Sequence, residues 1–236
     1  MAPLMQAENL HRHFGGLRAV DGVNFRLDPG QIHALIGPNG AGKTTFVSLL
    51  SGRVPVQSGK ITLKGDDITF MPAHRRVRKG IAYTFQITSI YPRLSVFDNV
   101  ALAAQSAGSR PLQAAVNAAL DRVGLGQFTA EQAGNLSYGH QRLLELAMGL
   151  ALKPLVLILD EPTQGLAAGE IDGFKTLVRS LVPETTVLLI EHNMEVVMDL
   201  ATQITVLNFG QVLATGTPEQ IRANADVQDA YLGGHA

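Results

Sequence analysis

Eight consecutive residues, Gly37-Pro38-Asn39-Gly40-Ala41-Gly42-Lys43-Thr44, fit the spacing G-x-x-x-x-G-K-[ST]. Polyphosphate needs many hydrogen-bond donors at close range, and this run can supply them. Gly37, Gly40 and Gly42 allow backbone conformations closed to residues with a Cβ, so successive N–H groups can face an anion. A helix starting at the end of the run adds partial positive charge. In that arrangement Lys43 reaches the β- and γ-phosphates, the Thr44 hydroxyl sits on Mg²⁺ and Thr45 is a further phosphate contact. The implied ligand is a nucleoside triphosphate with magnesium. A chance Gly-rich turn carrying a lysine is the bland alternative, and the flanks argue against it. Ile32 to Ile36 reads as a strand, and Thr45 to Leu50 reads as the first turns of a helix.

A second set of reactive groups lies downstream. Leu155 to Leu159 is an apolar run that ends in Asp160 and Glu161. A carboxylate at the end of a buried strand can hold magnesium, and Asp160 fits that Walker-B role. Glu161 is placed to take a proton from, or orient, an attacking water. Ile190-Glu191-His192 repeats the pattern after another apolar run, so His192 would point into the same crevice at the strands' carboxyl ends. A lone histidine is more often structural, and position alone leaves both readings open. Leu136-Ser137-Tyr138-Gly139-His140-Gln141-Arg142 reads as a helix start, with Ser137 a suitable N-cap and Gly139 letting another backbone come close.

These groups need elements to hold them. Val156 to Leu159 and Val187 to Ile190 are short unbroken apolar runs, as in strands buried on both faces of a parallel sheet. Between them Ile171, Phe174, Leu177, Val178 and Leu181 recur at helical spacing, completing a β-α-β unit. The N-terminal part reads differently. Leu17 to Leu27 and the run after Pro29-Gly30 suggest antiparallel strands, and Gly59 to Asp66 suggests a hairpin. Ser89 to Leu152, rich in Ala, Leu and Gln, reads as helical with breaks at Pro92, Gly108 to Pro111 and Gly124 to Gly126. Ile204 to Leu207 and Gln211 to Ala214 read as a hairpin across Asn208-Phe209-Gly210.

Composition narrows the class. The 236 residues suit one large α/β domain or two small ones. With 19 basic and 20 acidic residues there is no global electrostatic case for nucleic acid. His74-Arg75-Arg76-Val77-Arg78-Lys79 is a local basic cluster, read as a solvated surface turn rather than a nucleic-acid or lipid patch. The absence of cysteine excludes a disulfide framework or thiolate metal site. No signal-peptide pattern opens the chain, and no apolar stretch nears the roughly 18 residues that span a bilayer.

Taken together, these elements resemble the ATP-binding cassette (ABC) ATPases along nearly the whole chain. Gly37 to Thr45 looks like Walker A, and Asp160 and Glu161 match the Walker-B acid and catalytic glutamate. His192 matches the switch histidine, and Leu136 to Gln141 resembles the L-S-G-G-Q signature. Phe85-Gln86 looks like the Q-loop, which implies that Gln86 touches Mg²⁺ and senses the γ-phosphate. Phe14 stands where the family places an aromatic on adenine. The implied fold is a P-loop NTPase of α/β class: a RecA-like parallel-sheet core, an N-terminal antiparallel β subdomain and an inserted helical subdomain. The expected layout is a single domain over 1–236, with core at 1–86 and 152–236 and helical subdomain at 87–151.

The segments Ile190 to Met198, Gly216 to Ile221, Tyr138 to Arg142 and Ala230 to Gly233 are similar to ATPase subunits of bacterial branched-chain amino acid importers. Urea and short-chain amide importers share that branch. The resemblance implies ATP hydrolysis in a sandwich of two cassettes, homodimer or paralogue pair, in which Ser137 and Gly139 of one chain meet the γ-phosphate held by the other. It also implies membrane permease subunits as partners, a periplasmic solute-binding protein behind them, no nucleic acid, and a place on the cytoplasmic face of the inner membrane. Two departures stand out: Tyr138 and His140 replace a Gly and a Gln of the signature, and Ala167 stands where an Asp is usual. A non-transport ABC ATPase of translation or DNA repair is the alternative, though those usually carry two cassettes or a long coiled coil. A P-loop kinase or GTPase, or a module that binds without turnover, is further off, given the signature, His192 and Glu161.

Overall fold

The computed structural model describes residues 2–84, 89–108 and 111–232, with Tyr231 and Leu232 by backbone only. Two sheets organise them. In the first, β1 (Met5–Phe14) and β2 (Leu17–Leu27) form an antiparallel hairpin turning at Gly15-Gly16, and β4 (Ser58–Leu63) with the short β5 (Asp66–Asp67) extends it in the order β2-β1-β4-β5. In the second, β6 (Ile81–Thr84), β7 (Val156–Asp160), β8 (Thr186–Ile190), β3 (Ile32–Ile36), β9 (Gln203–Asn208) and β10 (Gln211–Gly216) lie in that spatial order. Every neighbouring pair there is parallel except β9–β10.

The apolar runs are unbroken because both faces of this sheet are covered. Val156, Ile158, Leu188 and Ile190 face α1 (Lys43–Ser51) and the antiparallel sheet, in a core with Phe46, Leu50, Val23 and Phe25. The alternate residues Leu157, Leu159, Val187 and Leu189 face the other way, toward Phe174, Val178 and Leu181 of α6 (Ala168–Leu181). Such side chains contribute about 1.5–3 kcal/mol each when fully buried. α3 (Val96–Ser106), α4 (Leu112–Arg122) and α5 (Tyr138–Ala151) join the same cluster and form the helical insertion. Ser95 caps α3 by accepting the Asp98 N–H at 3.0 Å, and Ser137 caps α5 by accepting the His140 N–H at 3.3 Å. α7 (Met194–Leu200), α8 (Pro218–Arg222) and α9 (Ala225–Leu232) close the third cluster around Ala34, Ile36, Ile204 and Val206. No described helix is long and apolar enough to cross a membrane.

Two sequence expectations change, and one strand is new. The run after Pro29-Gly30 is β3, which pairs parallel with β8 and β9 and so belongs to the core sheet rather than to an antiparallel unit. Ile81–Thr84 is an edge strand that four residues without alternation did not announce. The basic cluster is a helix, α2 (Ala73–Arg78), and its Arg76 is 1% exposed. The Arg76 guanidinium donates to four carbonyls: Leu49 and Leu50 at the C-terminal end of α1, Thr69 and Met71, all at 2.7–2.8 Å. The end of a helix is electronegative, so the cation is stabilised there without a carboxylate partner. Burial lowers its pKa to about 10, which leaves it charged at neutral pH. Arg76→Met keeps the aliphatic stem and leaves four carbonyls without their donor. We expect a loss of about 3 kcal/mol, read as a fall of roughly 6–12 °C in thermal midpoint. A fall under about 2 °C would mean that other donors serve those carbonyls.

Candidate functional site

β3 delivers the chain into Gly37, and α1 begins at Lys43 with Gly42 as its N-cap at φ 100°. The loop between is squeezed from two sides. A Cβ on Gly37 would lie 2.1 Å from the Leu207 carbonyl oxygen, and one on Gly42 2.1 Å from that of Ala19. Only glycine permits either approach. The Gly210 N–H donates to the Ala41 carbonyl at 3.0 Å, and the Asp21 N–H to the Gly210 carbonyl at 2.8 Å, so the β9–β10 turn ties the loop to β2. Asn39 and Gly40 are exposed at the tip, with Pro38 half-buried and Ala41 buried beneath. Lys43 Nζ lies inside the loop, 2.6 Å from the Gly37 carbonyl and 3.0 Å from that of Pro38. Burial lowers its pKa, and the nearby Glu161 and Asp160 charges oppose that shift. Thr44 is exposed and Thr45 half-buried on the first turn of α1.

Asp160 is the last residue of β7 and is 4% exposed. Burial pushes its carboxyl up, as does the neighbouring Glu161, while Tyr83, Arg53 and Lys43 pull it down. Tyr83 donates its hydroxyl to Asp160 Oδ2. The Arg53 guanidinium lies 4.4 Å from the centroid of the Tyr83 ring. Neither Tyr83 nor Arg53 was singled out from sequence. The signal was register: Tyr83 pairs with Ile158, and Asp160 stands two residues further along the same face.

Glu161 leaves the strand at φ 48°, with its N–H donating to the Ile190 carbonyl at 2.9 Å. Its carboxylate Oε1 lies 2.7 Å from His192 Nε2. The two are brought together by a residue that sequence reasoning passed over. Glu191 is 4% exposed, and its carboxylate spans two loops. Oε1 accepts the Thr163 N–H at 3.1 Å and the Thr163 hydroxyl, and Oε2 accepts the N–H groups of His192 at 2.8 Å and Asn193 at 3.1 Å. One buried anion thus fixes the turn after β7 against the turn after β8.

Ser137 and Gly139 sit at the start of α5, where Tyr138 and Gly139 meet the segment that follows Thr163. A Cβ on Gly139 would lie 2.2 Å from the Glu170 carboxylate, so the close neighbour there is a side chain of the same chain rather than a backbone. Glu170 in turn accepts the Ala167 N–H at 2.8 Å, capping α6 in place of a side chain at Ala167. Tyr138 packs over Gly165, and the Arg142 guanidinium lies 5.5 Å from its ring centroid. His140 packs against Phe128, with ring centroids 4.8 Å apart and the planes tilted by 46°. The unusual residues at 138 and 140 therefore each have a local packing role, and at 167 the Glu170 carboxylate caps the helix through the backbone N–H. Phe14 ends β1 with 45% of its surface exposed and the Arg12 guanidinium 4.7 Å from its centroid. Gln86 lies outside the described residues.

The Glu191 bracket carries a sharp expectation. In Glu191→Gln one oxygen becomes an NH₂ group and meets N–H donors on one of the two loops. We expect a loss of about 2 kcal/mol or more in denaturant unfolding, close to that of Glu191→Ala; near-wild-type stability would show that the four hydrogen bonds do not set the loop positions.

The ABC transporter family model matches residues 20–164, and the branched-chain amino acid ATP-binding cassette transporter model matches 211–236. The chain is 40% identical over 250 residues to the high-affinity branched-chain amino acid transport ATP-binding protein BraF of Pseudomonas aeruginosa, with 98% of each chain covered. It is 39% identical over 251 residues to LivG of Escherichia coli, of the same description and coverage. The lipopolysaccharide export system ATP-binding protein LptB of Escherichia coli is 34% identical over 97% of each chain. Among solved structures, a nucleotide-free ATP-binding cassette from an ABC transporter superposes with TM-score 0.89 at 26% identity, covering 98% of this chain and 99% of that one. An ADP-conformation cassette gives 0.87 at 26%, covering 99% and 100%. With its antiparallel N-terminal sheet, mainly parallel core and helical insertion, the chain belongs to the ABC transporter ATP-binding proteins, of the branched-chain amino acid transporter (LivG/BraF) type.

Proposed function

We propose that this chain is the ATP-hydrolysing subunit of an importer for branched-chain amino acids or a related amide- or urea-type solute. The observation that carries the reading is the Glu161–His192 contact of 2.7 Å beside Asp160, in a chain alike end to end with BraF and LivG. The match of 211–236 to the branched-chain transporter model favours import over the export role printed for LptB.

In this reading Lys43 and the N–H groups of the loop from Gly37 to Thr45 hold the triphosphate, and Phe14 offers its open face to adenine. The donor set suits magnesium: the Asp160 carboxylate and the Thr44 hydroxyl, with Gln86 expected beside them, are hard oxygen ligands without competing sulfur or imidazole. When bound, the ion neutralises phosphate charge. Tyr83 holds Asp160 by one oxygen and so fixes its direction. Glu161 takes the proton of the attacking water, and His192 orients Glu161 and reaches toward the γ-phosphate. Ser137 and Gly139 serve the nucleotide of a second cassette, so each chain carries half of two sites. Closure of that pair around ATP, and reopening after hydrolysis, drives membrane permease subunits that hold the ATPase at the cytoplasmic face of the membrane.

Glu161→Gln keeps size and hydrogen-bonding reach but removes the base. ATP affinity should stay within about twofold, with turnover down by about 100-fold or more; phosphate release at the normal rate would remove Glu161 from that role. Lys43→Ala should abolish measurable nucleotide binding in a fluorescent-analogue titration, and unchanged affinity would contradict the phosphate assignment. The transport reading is tested by co-purification with a polytopic membrane protein and by solute-dependent stimulation of ATPase activity in the reconstituted complex.

A further inference from the structure

A group of side chains away from the phosphate loop has the chemistry of a ligand set. His11 and His13 alternate on one face of β1, and Asp21 stands across from His11 on β2. Asp21 Oδ1 lies 3.1 Å from His11 Nδ1 and 3.4 Å from His13 Nε2. One donor atom from each of the three residues falls within 4.8 Å of the other two, the only such metal-capable group of histidine and acid side chains among the described residues. Two ligands bound to one ion at 2.0–2.1 Å with tetrahedral angles are about 3.3 Å apart. The two carboxylate–imidazole separations bracket that value.

The outer contacts also match what a metal site uses. His11 Nε2, the nitrogen turned away from Asp21, lies 3.1 Å from Asn9 Oδ1, which can accept its proton and leave Nδ1 as the lone-pair donor. The second carboxylate oxygen, Oδ2, is held by Arg18 at 3.3 Å, which leaves Oδ1 turned to the imidazoles. The two histidines are partly exposed, 26% and 30% at the side chain, so an ion has an entry path.

We infer that His11, His13 and Asp21 bind one divalent transition-metal ion of the zinc class on the face of the β1–β2 hairpin opposite Arg12 and Phe14. Two imidazoles and one carboxylate suit zinc, cobalt or nickel and discriminate against magnesium, which prefers oxygen alone. The ion cross-links two strands one residue before Phe14, so it restrains the hairpin that ends in that exposed ring. This assignment stands on the hairpin alone and holds whichever solute the transporter carries.

The test is titration of the full chain, stripped with a chelator, with Co²⁺ in a large excess of Mg²⁺. The visible spectrum reports nitrogen–oxygen coordination. One equivalent should bind. His13→Ala and Asp21→Ala should each weaken that binding by about 100-fold or more, and Asn9→Gly, which keeps all three ligands and suits the φ of 48° at that position, by about tenfold to a hundredfold. A measurement on the unaltered protein guards against variants that misfold: Zn²⁺ should protect His11 and His13 from carbethoxylation, read by peptide mass spectrometry, while exposed His74 continues to react. No binding at millimolar Co²⁺, binding undiminished in both His13→Ala and Asp21→Ala, or equal reactivity of His11 and His13 with and without Zn²⁺ would each overturn the inference.

Discussion

Leu35 of β3 and Asp160 of β7 are both in register with Ile190 of β8, the strand between them. That alignment is the constraint on which the site rests. Three neighbouring parallel strands end at the same level, so the chain segments leaving them emerge side by side. A glycine loop more than a hundred residues upstream of a pair of acids, and a histidine some thirty residues beyond them, become neighbours through this register. A slip of one residue in β7 would turn Asp160 to the opposite face and put Leu159 or Glu161 in its place, according to the direction of the slip. The strands are buried on both faces, so such a slip would misfit close-packed side chains on each side of the sheet.

Buried charge is handled by backbone as much as by ion pairs. Glu191 is satisfied chiefly by N–H groups, Arg76 by carbonyls, and Lys43 by two carbonyls of the loop it serves. Each of these bonds fixes a main-chain position rather than another mobile side chain. Asp160 is the different case, because burial and the adjacent Glu161 both disfavour its charge. A cation beside it would relieve both effects, which is the electrostatic argument for the carboxylate as a metal ligand.

Much of this was legible in the sequence. The phosphate loop, the β-α-β unit from 156 to 190, the helical stretch and the C-terminal hairpin all follow from local spacing, because glycines, apolar periodicity and caps act over a few residues. The residues that escaped notice act at a distance. Glu191 looks like one more acid after a strand until Thr163 is placed beside it. Tyr83 belongs to an edge strand too short to show alternation, and its bond to Asp160 joins positions 77 residues apart. Arg76 sits among four other basic or polar residues that are surface groups, His74, Arg75, Arg78 and Lys79, and only the packing of α2 against the end of α1 singles it out. The departures at Tyr138, His140 and Ala167 look like losses in a motif, yet each is matched by a contact within the chain, at Gly165, Phe128 and Glu170.

The Arg76 fork also has a mechanical meaning. α1 is nine residues long, about 14 Å from end to end, and its first turn leaves the glycine loop while its last carbonyls are gripped from α2. The same guanidinium grips Thr69 and Met71, on the path from the antiparallel sheet into α2. Helix and grip form a rod with a handle, the glycine loop at one end and the join of α2 with the antiparallel sheet at the other.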